Sequence, residues 1–94
     1  MKIAKWNREI VELEANIESY AKELVSLDDI LTGYCRYAST VILSHRDLEE
    51  LSEKIKVVKE DIASTKRKIE SSKKSIIRRE ENIHIENKII SNKR

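Results

Sequence analysis

A chain of 94 residues with no Pro, no Phe, one Gly and 38% charged side chains has the composition of long helices and makes one domain at most. The formal net charge of +2 is unevenly spread: residues 1–62 hold nine Lys/Arg against thirteen Asp/Glu, and residues 63–94 hold ten against four. Such asymmetry points to an interaction tail or to two segments that attract each other. The lone Cys35 excludes an internal disulfide framework, and no apolar run is longer than Val41-Ile42-Leu43, which excludes a membrane span. Charges follow Met1-Lys2 directly, so no signal peptide is expected and a cytoplasmic protein is the expectation. Heavy use of Ile, Lys and Asn matches AT-rich coding, as in an AT-rich bacterium or a phage.

Ile3, Trp6, Ile10, Leu13, Ile17, Tyr20, Leu24, Leu27 and Leu31 follow one another at spacings of three and four. That rhythm makes one apolar seam on a helix, the a/d pattern of a coiled coil. The spacing predicts a first helix over about 3–32, ending at Thr32-Gly33, because Gly is favoured just past a helix end. A lone amphipathic helix of this length is marginal in water, so the seam requires a second helix.

Residues 33–44 read as a connector. They hold Tyr34, Tyr37 and the Val41–Leu43 run, with few charges. Ser44 is placed as an N-cap, with Asp47 in the first turn that follows. A second helix is expected over about 45–90, with the seam Leu48, Leu51, Ile55, Val58, Ile62, Thr65, Ile69, Ser72 and Ile76. Its phase is offset by three residues from the first seam. One unbroken rod would need a stammer, which favours two helices.

Flanking charges choose the orientation. A parallel homodimer of the first helix sets Glu9 near Glu14 and Glu23 near Asp28 of its mate, and both pairs repel. Folding the second helix back antiparallel sets Glu23 near Lys54, Glu9 near Lys68, and Glu14 between Lys59 and Lys66. The expected fold is therefore an all-α antiparallel helical hairpin, a coiled coil with a long C-terminal helix, and oligomeric. In that register residues 77–94 project beyond the first helix as a basic arm. Its Ile77, Ile83, Ile85, Ile89 and Ile90 are candidates for binding a partner.

The chemistry on offer is sparse. Lys66, Arg67, Lys68, Lys73, Lys74, Arg78 and Arg79 form a basic run suited to a phosphate backbone, an acidic partner, or simple pairing with the acidic first helix. No aromatic residue is interleaved, which counts against base-specific readout. Ser44, His45 and Asp47 have the residue types of a hydrolytic triad, but their adjacency on one helix start fits capping instead. His45 and Glu49 supply two metal ligands without a third. Cys35 reads as a small buried hydrophobe in the connector. No catalytic, metal or cofactor motif is present.

These residues point to a non-enzymatic helical protein–protein interaction module, such as a small regulator or inhibitor that binds a larger protein. The expected partners are the chain itself, another protein, or both, with no membrane and no small molecule. A nucleic-acid-binding protein using residues 66–79 is one alternative. A structural coiled-coil subunit is another.

Overall fold

The computed structural model describes residues 2–92 and holds two helices, α1 (Lys2–Thr40) and α2 (His45–Asn92). They run antiparallel and make an all-α hairpin 76 × 16 × 15 Å in extent. At about 1.5 Å per residue, α2 alone accounts for roughly 72 Å of that length. No helix among the described residues is long and apolar enough to cross a membrane.

The first helix runs past the expected stop at Gly33. No glycine has a positive φ, so Gly33 is an ordinary helical residue. A mid-helix Gly costs only about 1 kcal/mol relative to Ala, and the apolar stripe continues beyond it through Tyr34 and Ala38, both half-buried. The helix stops instead at Ser39-Thr40. There the Ser39 and Thr40 hydroxyls donate back to the Arg36 carbonyl at 2.9 and 3.0 Å, local side-chain bonds that compete with continuation of the helix.

The connector is accordingly residues 41–44, with Ile42 fully exposed. At the far side of the bend, Ser44 Oγ accepts from the Asp47 backbone N–H at 3.2 Å, which is the N-cap expected there.

Lengthening α1 shifts the register. Arg79 Nε donates to Glu9 Oε2 at 2.5 Å, and Lys68 Nζ lies 5.8 Å from the centre of the Tyr20 ring. In both pairs the residue numbers sum to 88, so residues whose numbers sum to 88 or 89 stand at one level to within about 1.5 Å along the axis. The expected pairing of Glu9 with Lys68 is thus overturned by eleven positions, 79 against 68. Glu23 with Lys54, and Glu14 with Lys59 and Lys66, fall with it. A shift of eleven residues is close to three helical turns, so it keeps the same stripe facing inward.

The core is one seam. Leu51, Val58, Ile62, Thr65 and Ile76 are buried. Ile3, Trp6, Ile10, Leu13, Ile17, Tyr20, Leu24, Leu27 and Leu31 are half-buried, as are Ile55 and Ile69. Leu48 departs from the expected core and is exposed. In this register it stands level with Thr40, the last residue of α1, where the first helix runs out of cover. Thr65, at 2% exposure, is the most enclosed side chain and stands level with Leu24. Ser72 stands level with Ile17. Small residues on α2 face large ones on α1, which lets the helices approach without overpacking.

Candidate interaction surface

The projecting arm is not free. Residues 77–86 lie alongside the start of α1: Arg79 pairs with Glu9, Ile83 is half-buried at the level of Trp6, and Glu86 and Ile90 line one small hollow with Lys2 and Ile3. Only the last turn or so of α2 extends past Lys2, and Lys93 and Arg94 of the expected arm lie outside the described residues. Of the apolar partner candidates, Ile83 belongs to the seam. Ile77, Ile85, Ile89 and Ile90 are exposed.

The basic run divides in two. Arg79 is taken into the seam. Its side chain and that of Glu9 are only 29% and 27% exposed, and its Nη1 donates to the Ser75 carbonyl at 3.2 Å. Lys68 leans over the Tyr20 ring, a cation–π contact. Lys66, Arg67, Lys73, Lys74 and Arg78 are exposed, and among the described residues none of them makes an ion pair within 4.0 Å.

The smaller candidates have structural roles. Ser44 is occupied as a cap. The His45 imidazole Nε2 lies 3.1 Å from Glu49 Oε1 on the helix surface. No group of three His, Cys, Asp or Glu among the described residues is placed to hold a metal ion. Cys35 is exposed on α1 rather than buried in a connector, because the helix carries it past the point where a bend was expected.

In an antiparallel pair, equivalent flanking positions of the two helices share a face. One face of the hairpin carries Val11, Glu14, Glu18, Ala21, Val25 and Asp28 from α1. The same face carries Lys56, Lys59, Ala63, Lys66, Glu70, Lys73 and Ile77 from α2. Val11 and Val25 are 64% and 62% exposed, and Ile77 is 56% exposed. The register sets Val11 level with Ile77 and Val25 level with Ala63. Beside Ala63, an open groove runs along α2, lined by Ser52, Ile55, Lys56, Lys59, Glu60 and Ala63. Over this span α1 contributes three acidic side chains and no basic one, while α2 contributes four lysines and Glu70.

The opposite face is patchier. Ile30, Tyr37 and Val57 are exposed near the bend, and Ile85 and Ile89 near the open end. Ser19, Ser26, Ser64, Ser71 and Ser75 occupy the stretch between. Val11 and Val25 stand fourteen residues apart at one heptad position beside the seam, a signal that the seam's own periodicity masks in the sequence. No protein-family model, no curated protein and no solved structure matches this chain.

Proposed function

We propose that the chain is a non-enzymatic helical interaction module, a two-helix strut whose outer surface binds another polypeptide, as a small regulator or inhibitor of a larger protein would. One observation carries this reading: among the described residues four large apolar side chains are buried and twelve are exposed. A single seam is all that a two-helix fold can close. Scattered surface hydrophobics are ordinary, but Val11, Val25 and Ile77 share one face and are well exposed.

Photo-cross-linking of the full chain in its native cell tests the reading. Photo-reactive residues at positions 25 and 77 are expected to trap a polypeptide, while one at Lys22, on the outer edge of α1, does not. Absence of protein adducts at all three positions contradicts it.

A second reading is nucleic-acid binding through Lys66, Arg67, Lys73, Lys74 and Arg78, supported by their lack of carboxylate partners within 4.0 Å among the described residues. It requires retention of DNA or RNA that falls steeply with added salt.

A further inference from the structure

We infer that the polypeptide taken by the Val11–Val25–Ile77 face is a second copy of this chain, docked so that α1 of each copy lies over α2 of the other. The inference rests on the interaction-module reading and specifies its partner.

Closed two-fold symmetry leaves two ways to stack these faces with their helices aligned. An axis across the helices lays α1 on α1 and α2 on α2. That opposes the acidic set Glu14, Glu18 and Asp28 to the same acidic set of the mate in reversed order, and Lys59, Lys66 and Lys73 to the mate's lysines. An axis along the helices lays α1 antiparallel on α2 of the mate, with both bends at the same end. Acidic α1 then meets basic α2 twice. Charge therefore selects the second arrangement, in the way that flanking charges set orientation in coiled coils.

The same operation matches shape. An axis along the hairpin preserves level, so the register within one copy is repeated between copies. Val25 of one copy comes to the level of Ala63 of the other, where the groove along α2 lies open. Val11 comes to the level of Ile77. A protruding Val thus meets a hollow around a small residue, and two branched side chains meet each other, at both ends of the shared span. Glu18 stands level with Glu70, but Lys66 and Lys73 flank that level one turn to either side. The product is a four-helix bundle in which every neighbouring pair of helices is antiparallel.

Sedimentation of the full chain between about 1 µM and about 500 µM is expected to show a monomer–dimer equilibrium. Val25→Glu and Ala63→Glu lie outside the intramolecular seam. Each is expected to weaken the dimer on the order of tenfold or more while helicity by circular dichroism is kept.

Orientation is read from disulfides in a Cys35→Ser background. Mixing the single-cysteine variants Val25→Cys and Ala63→Cys is expected to give a covalent heterodimer, and Val25→Cys alone is expected to give little homodimer. A monomer throughout the concentration range overturns the inference, and so does preferential Val25→Cys homodimer. If the chain is monomeric yet position 25 traps a different protein in cells, the self-docking inference fails and the interaction-module reading stands. If it is monomeric and nothing is trapped, both fail.

Discussion

Arg79 on α2 reaches Glu9 on α1 across seventy positions of sequence and closes a half-buried ion pair in a seam that otherwise holds apolar and small hydroxyl side chains. Its level in the seam is shared with Ile10, where an apolar side chain would be expected. A charge held there needs its carboxylate, and only one register of the two helices supplies Glu9. The pair therefore acts as a register pin, the role best attested for polar groups in coiled-coil seams.

Removing either partner is expected to destabilise the hairpin by about 1 kcal/mol or more, because the remaining charge is left partly desolvated. The double variant Glu9→Ala/Arg79→Ala should cost less than the two single costs together, with a coupling of about 1 kcal/mol in a denaturation cycle. The cycle between Glu9 and Lys68 should show none. Replacing both partners at once, Glu9→Leu/Arg79→Leu, should be close to neutral or stabilising, since apolar side chains then fill the site and no charge is left unpaired. A large loss of stability in that double replacement would contradict a pair that sets register rather than supplies stability.

Gly33→Ala is expected to stabilise the hairpin by about 1 kcal/mol, read as a rise in melting temperature. The site has helical backbone, and a Cβ built there meets nothing within 4 Å. If α1 ended at this residue in the left-handed conformation, the same change would destabilise.

Ser44→Ala removes the acceptor for the Asp47 backbone N–H and should cost about 1 kcal/mol, with Ser44→Gly costing only a few tenths. Thermal melts of the two variants measure the difference. An equal loss in both would argue against the cap.

Ile62→Ala should cost about 2–4 kcal/mol, through lost burial and the cavity left behind. Thr65→Leu should also destabilise, by about 1–3 kcal/mol, because the enclosed site opposite Leu24 has no room for a larger side chain. Val11→Ala should leave hairpin stability nearly unchanged, since Val11 lies outside the seam. Chemical denaturation at low protein concentration separates these effects from any association.

Much of this architecture was legible in the chain. The three-and-four spacing of Ile3 through Leu31 and of Leu51 through Ile76 marks the stripes that the two helices turn toward each other. Opposed flanking charges pointed to the antiparallel arrangement. The bend was misplaced because Gly33 resembles a helix stop, and the small cost of Gly within a helix is outweighed by the additional turns that pack Tyr34 and Ala38.

Misplacing the bend misplaced the register. Periodicity could not repair it, because a slip of eleven residues leaves the same stripes facing inward. Surface ion pairs worth a few tenths of a kcal/mol are too weak to choose among such slips. The informative residue was Arg79, a charge at a seam position that demanded a particular partner. Val11 and Val25 went unread for a related reason. Beside so regular a seam, two valines at a flanking position carry little signal until the fold shows what lies level with them.

The antiparallel register is tested most directly by one distance. Spin labels at positions 8 and 81, in a Cys35→Ser background, sit on the outer edges of the two helices at one level of the hairpin. At a concentration where the chain is monomeric, pulsed dipolar spectroscopy should give a single narrow distance of roughly 20–30 Å, set by packed helices and outward-pointing labels. A slip back to the register that sets Glu9 beside Lys68 would add about 16 Å along the axis, and one continuous rod would separate the labels by roughly 110 Å. Either result would contradict the hairpin described here.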